Sequence, residues 1–190
     1  MEYLIIIISA VLVNNIVLSQ FLGICPFLGV SGRLSTAVGM GMAVIFVMTM
    51  ATIATHLIQN LILVPLGLTF LQTVAFILVI ASLVQLVEIV LKKVSPALYQ
   101  ALGVFLPLIT TNCAILGVAI LVVGREYTMA QGVVFAIGSS VGFLLALYIF
   151  AGIREKMALL DIPKGMRGAP ISLVTAGLLA LAFGGFAGLV

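Results

Sequence analysis

The chain contains two related hexapeptides, Cys25-Pro-Phe-Leu-Gly-Val30 and Cys113-Ala-Ile-Leu-Gly-Val118, which share the pattern C-x-x-L-G-V at an offset of 88 residues. They contain the only two cysteines of the sequence. Each lies in a long apolar segment, the first and the fourth of six. Three membrane crossings between two copies of a repeat give the copies opposite orientations, as in many transporters. The pattern therefore predicts two inverted halves, approximately residues 1–93 and 94–190, in one membrane domain spanning residues 1–190.

The composition places these segments in a membrane. Of the 190 residues, 64% are hydrophobic and 7% are charged. So few charged side chains cannot cover the surface of a soluble domain, whereas long apolar runs are typical of bilayer spans. The formal net charge of +3 does not indicate nucleic-acid binding, because the basic residues are spread over short connections. We therefore expect an all-α integral membrane protein in contact with lipid and without a nucleic-acid partner.

Charged residues and turn signals divide the chain into six predicted transmembrane helices. The first runs from Tyr3 to about Val30, and the sixth from Gly168 to Val190. The second begins near Leu34 and is predicted to end at Gln59-Asn60, with Pro65 and Gly67 in the following loop. The third, fourth and fifth end at Lys92-Lys93, Arg125-Glu126 and Arg154-Glu155-Lys156.

The basic residues predict the orientation of the helices. Three connections, those after the first, third and fifth segments, carry seven basic residues, whereas the other connections carry Arg125 alone. Basic residues concentrate on the cytoplasmic side of membrane proteins, so both termini are expected on the outer, periplasmic side. The seven residues are Arg33, Lys92, Lys93, Arg154, Lys156, Lys164 and Arg167.

The two segments that contain the cysteines are predicted to be broken helices. Val94 to Gly124 is a run of 31 uncharged residues, which as one helix would be about 46 Å long, against a hydrocarbon core of roughly 30 Å. This run contains Pro107, and the first segment has Gly23, Pro26 and Gly29 near Cys25. Irregular backbone at membrane depth is tolerated where it is buried in protein or lines a cavity. The cysteines thus lie where a functional break is expected.

Three interpretations of the cysteine pair follow from the residues alone. A buried cysteine can be a small apolar packing residue, or Cys25 and Cys113 could form a disulfide. Their matched positions at broken helices favour metal ligands, and thiolates prefer iron–sulfur clusters, copper(I) or zinc. An iron–sulfur cluster normally takes four cysteines, so a cluster would require a second subunit.

Polar residues precede each cysteine. Asn14 and Asn15 lie before Cys25, and Thr110, Thr111 and Asn112 lie directly before Cys113. Polar side chains within a membrane are costly unless they are hydrogen-bonded. We therefore expect them to satisfy backbone groups at the breaks, to surround a bound group, or to line a polar path, with helix–helix contacts as the alternative. No nucleotide-binding or nucleophile–base motif is present, so no catalytic residue is predicted.

The sequence resembles a known family over essentially its whole length. Five segments are similar to the A-type subunits of bacterial Rnf electron-transport complexes. They are Val-Asn-Asn-Ile-Val17, Phe-Leu-Gly-Ile-Cys25-Pro-Phe-Leu-Gly-Val-Ser31, Leu-Pro-Leu-Ile-Thr-Thr-Asn-Cys113-Ala, Ala-Gly-Ile-Arg-Glu-Lys156 and Asp-Ile-Pro-Lys-Gly-Met-Arg-Gly168. The related E-type subunits of the sodium-pumping NADH:quinone oxidoreductase are an alternative. The Cys-Pro-Phe sequence and the short second connection look more like the Rnf subunits.

This resemblance implies a function and a cofactor. It implies a non-catalytic electron-relay subunit of a complex in the bacterial inner membrane, which moves electrons between ferredoxin and NAD⁺ and couples this to Na⁺ or H⁺ transport. It also implies a 2Fe-2S cluster, with Cys25 and Cys113 as two ligands and a homologous E-type subunit of opposite topology supplying two more. Further partners would be the B, C, D and G subunits, and no flavin would be bound to this chain.

Two functions of other classes remain open from the residues. Inverted repeats with broken helices are also typical of secondary transporters. A purely structural role in assembly is the third possibility. Iron and acid-labile sulfide that depend on the two cysteines would distinguish an electron relay from both.

Overall fold

The computed structural model describes residues 2–94, 106–161, 163 and 165–186, and in these ranges the regular structure is helical throughout. The start of the predicted fourth segment, residues 95–105, lies outside the described residues, as do Lys164 and the last four residues of the sixth segment. The helices are α1 (Glu2–Val13), α2 (Ile24–Val30), α3 (Leu34–Leu66), α4 (Gln72–Val94), α5 (Leu106–Thr110), α6 (Cys113–Gly124), α7 (Met129–Met157) and α8 (Ala169–Gly184).

Four stretches of the described chain are long and apolar enough to cross a bilayer, which confirms a helical membrane protein. They are Leu34–Leu66, Thr69–Val90, Pro107–Gly124 and Met129–Met157, whereas Glu2–Val13 and Ala169–Gly184 are shorter apolar helices. These four correspond to the second to fifth predicted segments. The first and sixth spans, and the inverted relation of the halves, remain predictions.

The predicted end of the second segment at Gln59-Asn60 is wrong. Helix α3 continues through a π-helical turn at Gln59–Leu63 and ends at Leu66, where Gly67 adopts a left-handed conformation with φ of 66°. A π turn keeps backbone N–H groups bonded across a wider ring, so polar residues there do not end the helix. Asn60 also bonds along the helix, with Nδ2 3.2 Å from His56 Nδ1.

Both cysteine-containing segments are broken; of the residues that marked the breaks in the sequence, Gly23 lies at the end of the first break and the prolines and Gly29 lie inside helices. The first break covers residues 14–23 and the second Thr111 and Asn112, so each break precedes its cysteine. Pro26 and Gly29 lie inside α2, and Pro107 lies in the first turn of α5. Proline is tolerated in the first turn of a helix because the N–H groups there lack an intrahelical acceptor.

The core is built on the antiparallel pair α3 and α7. A Cβ atom added to Gly41 would collide with the Leu144 side chain, and one added to Gly132 would lie 3.9 Å from Thr52 Cγ2 and 2.8 Å from Val122 of α6. Small residues therefore let the two helices approach closely, as is common between membrane helices. Helix α1 packs on α7, and α6 packs on both α3 and α7. The buried side chains include Met40, Val44, Met48, Phe143 and Leu147.

Candidate cofactor site at the two helix breaks

Asn15 organises the first break. Its Nδ2 donates to the carbonyl of Gly142 at 2.8 Å and to that of Val11 at 3.1 Å, and its Oδ1 accepts from the backbone N–H groups of Val17 at 3.1 Å and Leu18 at 3.4 Å. Asn15 is 1% exposed. One side chain thus satisfies the backbone that leaves α1 and ties it to α7, as expected for a buried amide.

Asn14 has a more local role. Its Nδ2 donates to Ser9 Oγ at 3.0 Å, and its backbone N–H donates to the Ser9 carbonyl at 2.7 Å. These bonds close the π-helical last turn of α1. Asn14 and Asn15 therefore satisfy groups at the end of α1.

Asn112 and Thr111 organise the second break. Asn112 is the N-cap of α6, and its Oδ1 accepts from the N–H of Ala114 at 3.0 Å. Thr111 donates from Oγ1 to the carbonyl of Pro107 at 2.9 Å, which binds an acceptor at the end of α5. Asn112 Nδ2, in contrast, is buried without a partner within the described residues. A buried amide donor in this state is unusual.

The two breaks meet at Gly23 and Cys113. The backbone N–H of Gly23 donates to Cys113 Sγ at 2.9 Å. Gly23 has φ of 80°, and a Cβ atom on it would lie 2.8 Å from Phe143 Cε2, 3.1 Å from Ala114 Cβ and 3.3 Å from Asn112 Oδ1. The left-handed backbone and the crowding both favour glycine. The start of α2 is thereby placed against the start of α6.

The two thiols occupy equivalent places in their helices. Cys25 lies in the first turn of α2 and Cys113 is the first residue of α6. Neither forms a disulfide, and Cys25 is exposed whereas Cys113 is half-buried. No group of three or more histidine, cysteine, aspartate or glutamate side chains could hold a metal ion among the residues that the structure describes. A metal group here would need ligands from outside this chain.

The far end of α2 is fixed by α7. Arg154 Nη1 donates to the carbonyl of Leu28 at 2.8 Å and to Ser31 Oγ at 2.6 Å. A cation at the C-terminus of a helix also interacts favourably with the helix dipole. The Phe27 ring stacks on Phe150 with centroids 4.3 Å apart. Helix α2, which carries Cys25, is therefore held along its length.

The next residue of α7 fixes the start of α3. Glu155 Oε1 accepts from the backbone N–H of Leu34 at 2.8 Å, which satisfies a donor that has no partner in its own helix. The Arg154–Glu155 pair thus holds both sides of the turn at Ser31-Gly32-Arg33.

The structure brings together most of the predicted site residues. Asn112 and Cys113 adjoin Gly23, and Cys25 is two residues from this contact. Asn15 and Thr111 hold the flanking backbone, while Thr110 is half-buried in the last turn of α5. Asn14 is confined to the end of α1.

Sequence reasoning missed the roles of Gly23, Phe143 and Arg154. The sequence marks Gly23 only as a helix breaker, although its place two residues before a cysteine is a usable signal. It marks Arg154 only as a basic residue of a connection. No sequence signal places Phe143 beside the breaks, because this contact depends on the packing of α7.

The sequence is similar to proteins of one membrane family over its whole length. The family model described as "Rnf-Nqr subunit, membrane protein" matches residues 3–190. The A-type subunit of an ion-translocating oxidoreductase complex from Syntrophotalea carbinolica is 62% identical over 98% of this chain and 97% of its own length. The A-type subunit of the Na⁺-translocating ferredoxin:NAD⁺ oxidoreductase complex from Acetobacterium woodii is 58% identical over 100% of this chain and 98% of its own.

Proposed function

Because the chain belongs to the Rnf-Nqr family of membrane subunits, we propose that it is the A-type subunit of an ion-translocating ferredoxin:NAD⁺ oxidoreductase complex. The observation that carries this proposal is its end-to-end similarity, at 58% identity, to a protein named for that reaction. Its partners are then the other membrane and redox subunits of such a complex: an E-type homologue and the B, C, D and G subunits.

We propose a topology of six spans in two inverted halves, in the inner membrane of a bacterium. The α1–break–α2 segment forms the first span and α8 contributes to the sixth. The contact of Arg154 with Ser31 supports placing the first and fifth connections at one end of the bundle. The contact of His56 Nε2 with the carbonyl of Tyr127, at 3.1 Å, joins α3 to the fourth connection at the other end. Seven basic residues then face the cytoplasm, and both termini face the periplasm.

The residues at the two breaks fit half of a 2Fe-2S site. Cys25 and Cys113 are free thiols, and Asn112 Nδ2 is a buried donor without a partner in the described chain. Two thiolates fill half of the usual four-cysteine ligand set, and the exposure of Cys25 leaves the site open for a partner subunit. We propose that an E-type homologue supplies the other two ligands. When bound, such a cluster supplies a one-electron relay within the membrane.

The residues of this chain hold the two thiols in place. Asn15 and Asn112 satisfy backbone groups that the breaks would otherwise leave unbonded, and Arg154 fixes the end of α2. No charged side chain is buried among the described residues. The thiols are therefore surrounded by backbone N–H groups, amides and apolar side chains. In such surroundings the net charge of the site depends mainly on the redox state of the bound group.

The test uses the complete complex purified with Cys25→Ser or Cys113→Ser. Each variant is expected to lose iron, acid-labile sulfide and the corresponding EPR signal, together with ferredoxin-dependent NAD⁺ reduction. Ser82→Ala is the control, because it removes a small exposed polar group from α4. A full EPR signal in the double variant would overturn the ligand assignment.

The same preparation distinguishes the other functions. A secondary transporter would move ions without iron, and a purely structural assembly protein would leave electron transfer normal in both cysteine variants. A quinone-dependent activity with NADH, without a ferredoxin-dependent one, would instead favour the E-type subunit of the sodium-pumping NADH:quinone oxidoreductase.

A further inference from the structure

The two cysteines differ in the hydrogen bonds available to their sulfur atoms. Cys113 Sγ accepts the Gly23 N–H at 2.9 Å, and it follows directly after Asn112, whose Nδ2 is buried without a partner in the described chain. Within the part of the chain that the structure describes, no protein donor reaches Cys25 Sγ, and this side chain is exposed. The chain therefore presents Cys113 Sγ with one backbone donor, next to a second, unpartnered amide donor on the preceding residue.

We propose that Gly23 and Asn112 are positioning residues that donate hydrogen bonds to the sulfur atoms on the Cys113 side of the cofactor and thereby raise its reduction potential. This inference rests on the proposed function. Hydrogen bonds to the sulfurs are among the features that set the potential of iron–sulfur clusters. They stabilise the form with more negative charge on sulfur, which is the reduced form.

The backbone donor is specific to glycine at position 23. The φ of 80° at Gly23 directs its N–H at Cys113, and a Cβ atom there would lie 2.8 Å from the Phe143 ring and 3.1 Å from Ala114 Cβ. Ala114 is 0% exposed and Phe143 is 0% exposed, so neither neighbour can move into free space. Any larger residue must displace the N–H from the sulfur.

The side-chain donor is oriented by the cap of α6. Asn112 Oδ1 is held by the N–H of Ala114 at 3.0 Å, which fixes the amide plane and leaves Nδ2 directed elsewhere. Asn112 is 4% exposed, and leaving a buried donor unpaired carries a free-energy cost. A sulfur atom of the bound group is the acceptor that removes this cost.

The inference is tested on the purified complex by redox titration of the EPR signal, with iron content measured in parallel. Asn112→Asp retains the Oδ1 cap and replaces the donor by a second oxygen. This variant is expected to keep its iron. Its reduction potential is expected to fall by at least about 59 mV, which for one electron lowers the ratio of reduced to oxidised cofactor tenfold at a fixed potential. Asn60→Asp, the same change at an exposed position of α3, is expected to leave the potential unchanged.

Gly23→Ala is also expected to lower the reduction potential. If the displaced N–H no longer reaches the sulfur, the variant is expected to lose iron. Gly67→Ala is its matched control, because Gly67 has φ of 66° but nothing within 4 Å of an added Cβ. An Asn112→Asp complex with the native potential and full iron would overturn the inference while leaving the proposed function intact. Absence of iron from the native complex would overturn the proposed function itself.

Discussion

At the scale of single residues, two asparagines show how broken helices are stabilised in an apolar environment. Asn15 uses both its donor and its acceptor within the chain, so its role is complete without any other group. Asn112 uses only its acceptor within the described residues. Because buried polar groups are normally bonded, the first asparagine is a structural residue, whereas the second keeps a donor that the proposed cofactor would satisfy.

Asn15→Leu is expected to destabilise the protein. The change removes the acceptor of the Val17 N–H and the link to the Gly142 carbonyl, and an unsatisfied buried donor costs about 1–3 kcal/mol. Thermal unfolding of the detergent-solubilised complex measures this effect. Gln20→Leu, at an exposed position of the same break, should leave the midpoint unchanged. Equal midpoints for the two variants would show that Asn15 does not hold the break.

At the scale of helices, α7 is the element on which the site is assembled. The glycines of α7 let α1 pack closely against it. The Phe150 ring stacks on Phe27 of α2, and the Arg154 side chain binds the C-terminal end of α2. A helix with apolar residues on all sides is typical of a buried membrane span. Periodicity therefore could not indicate which face of α7 meets the breaks.

Gly142→Ala is expected to separate α1 from α7. An added Cβ would lie 3.1 Å from the Ala10 carbonyl oxygen and 3.1 Å from Val11 Cα, and backbone atoms cannot rotate away as a side chain can. Overpacking of this kind costs about 1–3 kcal/mol, which thermal unfolding detects. Gly152→Ala in the same helix has nothing within 4 Å of its Cβ. It should be neutral or stabilising, because alanine is the better helix former.

Arg154→Ala is expected to loosen α2 and to lower the iron content of the complex. It leaves the Leu28 carbonyl and the buried Ser31 hydroxyl without their charged donor, and hydrogen bonds to charged groups contribute about 1.5–3 kcal/mol. Iron per complex and the unfolding midpoint are the measurements. Arg33→Ala removes the same charge from an exposed position at the same end. If both variants lost iron equally, charge rather than the contact with α2 would be responsible.

At the scale of the whole molecule, the distribution of charge predicts the orientation. A phosphatase reporter, which is active only in the periplasm, should be active when fused after Glu126 and inactive when fused after Arg33 or Lys93. The physical reason is that basic residues are retained on the cytoplasmic side. The opposite pattern of reporter activity would invert the proposed topology, although the contacts between the helices would remain the same.

The sequence by itself determined the class of the protein, the two matched cysteines and the existence of a break in each of their segments. These features follow from the composition, the repeat and the lengths of the apolar segments, none of which depends on how the chain folds. Of the break markers in the sequence, Gly23 lies in the first break, whereas Pro26, Gly29 and Pro107 lie inside helices, and Gln59-Asn60 does not end α3. Local turn signals failed there because a first-turn proline and a π-helical turn both satisfy backbone groups without ending a helix.

Only the tertiary structure decided which residues surround the cysteines. The Gly23 N–H reaches Cys113 across 90 residues of sequence, and Arg154 reaches Leu28 across 126. Such contacts depend on how α7 packs against both breaks, and nearly every residue in these segments is apolar, so no local pattern distinguishes one packing from another. The sequence shows the matched cysteines, but only the contact between the two breaks brings the Gly23 N–H to Cys113 Sγ.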